Sequence, residues 1–212
     1  MTQRLTPANL SGIILSGGLN SRMLGKNKSF LHLGRNTFLE RLLSVMEPLF
    51  AELLLVTRDP DLYTLERITV VKDIFDIRSA LSGVHAGLVH ARHEHAFVVA
   101  CDTPLLQRAL VKRLVETGYE DDEVVVPRKG EHLEPLCAVY ARSCLPHIEA
   151  LLREKRVKIS NLFSRVKTRE VDALTINQED PELRSFVNIN TPDDLSEVQK
   201  ELLGSNSGPS RS

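Results

Sequence analysis

The chain has 212 residues, and 27 Lys and Arg against 28 Asp and Glu leave a formal net charge of −1 at pH 7. That balance removes the general electrostatic attraction to nucleic acid or an anionic membrane, and a composition of 42% hydrophobic and 26% charged residues is that of a globular chain. Residues 1–9 lack the apolar run of a signal peptide, and no apolar run is long enough to span a bilayer. Cys101, Cys137 and Cys144 are odd in number and widely spaced, so the expectation is a cytoplasmic protein with reduced thiols.

Residues 10–203 read as a single domain, with an N-terminal extension at 1–9 and a disordered tail at 204–212. The first strand is expected at 12–15. Phe38, Leu39, Leu42, Leu43, Val45, Met46, Leu49 and Phe50 recur at three- and four-residue steps and predict a helix over 37–50. Strands follow at 53–56 and 68–71, then a helix at 80–92 and an apolar strand at 96–101 that runs into Asp102. A helix at 104–117 carries Pro104 in its first turn. Strands at 124–126 and 136–140 and helices at 147–156 and 192–203 complete the set, with Thr191 as N-cap of the last. Uninterrupted Val/Ile/Leu strands are covered on both faces. The alternation of strand and helix therefore predicts an α/β fold, a Rossmann-like open, mostly parallel sheet flanked by helices. Ligands bind such sheets beyond the carboxyl ends of the strands, here just after Leu15, Val56, Val71 and Cys101.

The first of those ends continues Ser16-Gly17-Gly18-Leu19-Asn20-Ser21-Arg22-Met23-Leu24-Gly25-Lys26-Asn27-Lys28. Adjacent glycines let the backbone approach a phosphate closely, and successive N–H groups can form an anion nest. Arg22, Lys26 and Lys28 add three cations. The spacing fits neither Gly-x-Gly-x-x-Gly nor a P-loop; a Gly-Gly turn before a solvated basic loop is the plainer alternative. Asp102 leaves a buried strand, where a single carboxylate can anchor Mg²⁺ beside nucleotide phosphates or cap the helix that follows. Asp73 ends another strand on the same edge, either as a loop Asp in a turn or as a hydrogen-bond acceptor for a ligand.

The run L-S-G-G-x-x-S-R-M-x-G-x-x-K resembles the signature of small nucleotidyltransferases, most nearly the molybdenum cofactor guanylyltransferase family, over about residues 12–195. The resemblance implies a fold of the nucleotide-diphospho-sugar transferase type. It also implies transfer of GMP from GTP to the terminal phosphate of molybdopterin, with release of pyrophosphate. Leu15, Ser16, Gly17 and Gly18 would then contact GTP, Arg22 and Lys28 would act on its phosphates, and Asp102 would hold Mg²⁺ as the metal ligand. In the family the position of Asp73 binds GTP, and Ser82 and Gly83 fall in a loop of small residues that admits the base. Asn188 and Asn190, in N-x-N-T-P, fall on the second-substrate side, where an amide suits a pterin. Molybdoenzymes or other molybdenum cofactor biosynthesis proteins are the implied partners, with no nucleic acid and no membrane. Ser16 stands where the family has Ala, and Thr57 where relatives carry Asn.

Three other readings stay open from the sequence: a relative that uses CTP or another phosphate acceptor, a non-catalytic nucleotide-binding module, and an α/β domain that binds only adventitious anions. Arg153, Lys155, Arg156 and Lys158 form a second basic cluster, explained either by an acceptor phosphate or by a helix C-terminus. His85, His90, His93 and His95 lack zinc-like partners and are expected on a solvated face.

Overall fold

The computed structural model describes residues 2–17 and 27–205. Strand β1 (Ser11–Ser16) is buried along its whole length and lies inside the sheet. On one side it pairs in parallel with β4 (Glu52–Thr57), which pairs in parallel with β5 (Thr69–Lys72). On its other side it pairs in parallel with β6 (His95–Ala100). The sheet then changes sense. β9 (Cys137–Ala141) lies antiparallel between β6 and β7 (Val124–Lys129), and β10 (Thr168–Val171) forms the far edge, parallel to β7. The order is β10-β7-β9-β6-β1-β4-β5, with β8 (His132–Leu133) attached to β7. A separate hairpin joins β2 (His32–Leu33) to β3 (Asn36–Thr37).

Alternation along the strands builds two cores. Ile14, Leu53, Leu55, Phe97, Val99 and Val139 face α1 (Phe38–Met46), α3 (Arg108–Thr117) and α6 (Ala173–Glu179). Ile13, Leu15, Leu54, Val56, Val98 and Tyr140 face α2 (Ala80–His90), α4 (Leu145–Arg153) and α5 (Ser160–Phe163). Each fully buried aliphatic side chain contributes roughly 1.5–3 kcal/mol relative to exposure. Helix α2 lies so close on β1 that a Cβ at Gly87 would stand 2.8 Å from Ile13 Cδ1, which brings the start of α2 over the carboxyl end of the sheet. The last helix, α7 (Pro192–Ser205), packs Val198 with Leu33, Phe38, Leu105 and Ile189 in a third cluster.

The mostly parallel open sheet with helices on both faces matches the expectation, and among the described strands β9 and the short β8 run antiparallel to their neighbours. Other expectations need correction. The helix placed at 104–117 begins only at Arg108, because Leu105 is buried in the third cluster and the Pro104 carbonyl accepts from Arg41 Nε at 3.0 Å. Within the expected extension at 1–9, Leu5 packs into the core, and its N–H donates to the Gly118 carbonyl at 3.0 Å. The tail expected from residue 204 starts inside α7, and 206–212 lie outside the described residues. Two of the four histidines are not on a solvated face. His85 and His95 are buried, His85 edge-on to Phe75 with ring centroids 4.9 Å apart and His95 beside the Asp122 carbonyl at 3.1 Å. No helix among the described residues is long and apolar enough to cross a membrane.

Candidate active site

The strand order reverses around β1, with β4 on one side and β6 on the other, so the crevice beyond their carboxyl ends is where a ligand belongs. Asp102 stands two residues past β6. The turn that holds it is fixed by Thr103, whose hydroxyl donates to the Ala100 carbonyl at 2.8 Å, and by Ile189, whose N–H donates to the Asp102 carbonyl at 2.8 Å. Lys28 opens a 3₁₀ turn capped by Asn27, whose side chain accepts from Ser29 N–H at 3.0 Å. Lys28 Nζ donates to Asn190 Oδ1 at 2.6 Å and to Asp102 Oδ2 at 3.2 Å. The second carboxylate oxygen, Asp102 Oδ1, is buried and has no hydrogen-bond partner among the described residues. Asn190 is itself held. Its N–H and that of Thr191 donate to Asp194, whose carboxyl these bonds keep below the usual range.

A cavity of about 280 Å³ runs from Asp102 along Gly17 and Leu15 to Asp73. A Cβ added at Gly17 would meet no described atom within 4 Å, so the glycine borders open space. Three inter-strand steps separate β6 from β5, on the order of 14 Å. That separation gives the cavity two ends of different chemistry. One is the Lys28–Asp102–Asn190 cluster. The other is Asp73, half-buried, with Arg58 Nε 3.7 Å from Oδ2 and Ser82 Oγ 3.5 Å from Oδ1. Burial pushes the Asp73 carboxyl above its ordinary range, against the pull of Arg58 and of the Ser82 hydroxyl.

Beneath the start of the glycine loop lies a buried polar knot. Ser16 Oγ is 2.6 Å from both Ser29 Oγ and the Tyr63 hydroxyl, and Asn27 Nδ2 donates to the same Tyr63 oxygen at 2.8 Å. Tyr63 stacks on Phe30 with ring centroids 5.1 Å apart. Ser16 and Asn27 flank the segment 17–26, so one hydroxyl ties its two ends together.

The structure brings Leu15, Gly17, Asp73, Gly83 and Asp102 to the cavity wall. Ser16 and Ser82 are buried behind it, in the polar knot and against Asp73 respectively. Lys28 and Asn190 meet at the Asp102 end, and Asn188 is exposed. Gly18 and Arg22 lie outside the described residues. Sequence reasoning missed Arg58, Arg78 and Tyr63. The first two could have been found by taking every charged residue that follows an expected strand end.

The basic residues Arg153, Lys155 and Arg156 are exposed around the end of α4, where Arg153 pairs with Glu149 and Arg156 with Glu154. Lys158 differs. With Arg128 and His132 it lines a groove of about 650 Å³ that shares Ala80 and Leu136 with the first cavity. No cluster of three or more His, Cys, Asp or Glu suited to a metal occurs among the described residues.

Residues 12–174 match the family model described as MobA-like NTP transferase domain. The chain is 39% identical to a molybdenum cofactor guanylyltransferase of Desulfosudis oleivorans over 194 residues, 91% of this chain and 96% of that protein. A crystal structure of molybdopterin-guanine dinucleotide biosynthesis protein A from Archaeoglobus fulgidus superposes with a TM-score of 0.79 at 26% identity, covering 92% of this chain and 100% of that one. The fold is shared more widely. The 2-C-methyl-D-erythritol 4-phosphate cytidylyltransferase of Thermus thermophilus superposes with a TM-score of 0.66 at 19% identity, over 91% of this chain and 98% of that one.

Proposed function

The chain belongs to the MobA-like NTP transferase family, and from that premise we propose that it transfers GMP from GTP to the terminal phosphate of molybdopterin. An oxygen of the acceptor phosphate attacks the α-phosphorus of GTP. The new P–O bond forms as the bond from the α-phosphorus to the bridging oxygen breaks, and pyrophosphate leaves with that electron pair. No protein nucleophile is needed. The observation that carries this reading is the buried Asp102 Oδ1, unpaired among the described residues and set beside Lys28 at one end of the cavity that reaches Asp73 at the other.

One carboxylate with a free oxygen fits Mg²⁺, which takes few protein ligands when phosphates supply the rest. When bound at Asp102, Mg²⁺ neutralises phosphate charge and favours the departure of pyrophosphate. Lys28 exchanges its contacts with Asp102 and Asn190 for phosphate oxygens, and the Gly17 backbone lies along them. Fixed positive charge aimed where negative charge accumulates is the main catalytic resource of such a site. Asp73 accepts from guanine N1–H and N2–H₂. The groove with Arg128, His132 and Lys158 supports a place for the acceptor, with cations for its phosphate and Phe163 and Val157 for its ring system. Asn190 holds Lys28 at the Asp102 end of the cavity; Asn188, exposed two residues earlier, is a candidate contact for the pterin. Three buried thiols without disulfides support a cytoplasmic setting.

The test is pyrophosphate release with molybdopterin and each of GTP, CTP, ATP and UTP in the presence of Mg²⁺. GTP is expected to exceed the others by about a hundredfold or more, the discrimination that unpaired hydrogen-bonding groups impose. Preference for CTP would overturn the guanine role of Asp73, and nucleotide binding without release would make the chain a non-catalytic module. A second expectation concerns the polar knot. Tyr63→Phe removes only the hydroxyl shared by Ser16 and Asn27, so KM for GTP should rise about tenfold with kcat changed less, as expected for loss of about 1.4 kcal/mol of loop organisation. Steady-state kinetics at varied GTP check it.

A further inference from the structure

We propose that Arg58 is a specificity-determining residue that reads guanine O6 beside Asp73, so that the two side chains together present one hydrogen-bonding edge to the base. The proposal rests on the guanylyl-transfer reading and extends it to a residue that follows β4 directly.

Guanine offers a row of three groups on its pairing edge: the O6 acceptor, the N1–H donor and the N2–H₂ donors. Its complement is donor, acceptor, acceptor. Asp73 alone supplies only the two acceptors, and the O6 position needs a donor at its side. Arg58 Nε lies 3.7 Å from Asp73 Oδ2, and both residues line the cavity. A guanidinium has five N–H donors and no acceptor. Arg58 commits one nitrogen, Nη2, to the exposed Asp76 at 2.9 Å, and that contact leaves its other N–H groups uncommitted while the side chain lines the cavity.

The surroundings fix the pair. Ser82 Oγ, from α2, backs Asp73 Oδ1 at 3.5 Å and lies 3.4 Å from the Phe75 carbonyl. Arg78 is the other charged side chain on this part of the wall. Arg58 also offsets part of the burial that pushes the Asp73 carboxyl above its ordinary range. The alternative bases fail on this edge. Adenine places an amino donor against Arg58 and an acceptor against Asp73. Cytosine places two acceptors against the carboxylate. Uracil satisfies the first two positions and sets an oxygen against the third.

The experiment compares dissociation constants for GTP and 6-thio-GTP, whose sulfur replaces O6 as a much weaker acceptor while N1–H and N2–H₂ remain. The wild-type protein should bind the thio analogue about tenfold more weakly, the loss of about one hydrogen bond to a charged donor. Arg58→Met should bind GTP about tenfold more weakly and show no difference between the two nucleotides. Arg58→Lys, with one compact donor on a similar stem, should keep part of the difference. A sulfur penalty that persists in Arg58→Met overturns the proposal, because the donor to O6 is then elsewhere and Arg58 only supports Asp73. Equal binding of GTP and CTP by the wild type defeats the guanine reading itself, a separate outcome.

Discussion

Asp102→Asn is expected to cut pyrophosphate release by about a thousandfold, the scale of losing a preorganised charge in a transition state. Asparagine keeps the volume and one carbonyl oxygen. It removes the negative charge and turns one oxygen into a donor nitrogen. In the native site Oδ2 faces Lys28 and Oδ1 has no hydrogen-bond partner among the described residues, so the cost falls on whatever Oδ1 is there to hold. The melting temperature should move by only a few degrees, since a partly exposed ion pair contributes about 1 kcal/mol or less. GTP binding separates the roles further. Mg²⁺ should tighten GTP binding to the wild type and leave Asp102→Asn nearly unaffected. Normal turnover in the variant, or full Mg²⁺ sensitivity, would remove Asp102 from the metal's coordination.

Lys28→Met should lower kcat/KM by about a hundredfold or more, for a different reason. The methionine preserves most of the stem and deletes a cation that sits within reach of Asp102 and Asn190. Without it the triphosphate loses a fixed positive partner and the amide oxygen of Asn190 loses its donor. Because Lys28 and Asp102 touch, their effects are coupled. The double variant should be little slower than Asp102→Asn alone, as for residues that act as a unit. Strict multiplication of the two single effects, measured by single-turnover pyrophosphate release, would show that the residues act independently.

Much of this arrangement is visible in the chain before it folds. Runs such as Ile13-Ile14-Leu15 and Phe97-Val98-Val99 announce strands buried on both faces, the first followed by the Gly17-Gly18 turn and the second by Asp102. What escaped depends on contacts between distant segments. β9 has the same apolar texture as its neighbours, and only pairing determines that it runs the other way. β10 begins Thr168-Arg169-Glu170, too polar to read as a strand, because it forms an edge. Ser16 looks like a harmless exchange in a main-chain contact, until Tyr63 folds against it from 47 positions away. Asn190 reads as a second-substrate residue, yet the structure sets its amide on Lys28, which no spacing rule foretells.

That last contact has a consequence for biosynthesis of the protein itself. Lys28 and Asn190 are 162 positions apart, and the segment carrying Asn190 is tied to Asp102 through Ile189. While the ribosome is still translating the middle of the message, the sheet strands through β6 can already pair, but the Lys28–Asp102–Asn190 cluster lacks a member. A nascent polypeptide arrested before residue 187 would therefore hold this cleft without Asn190, and on the proposed function it is expected to release no pyrophosphate.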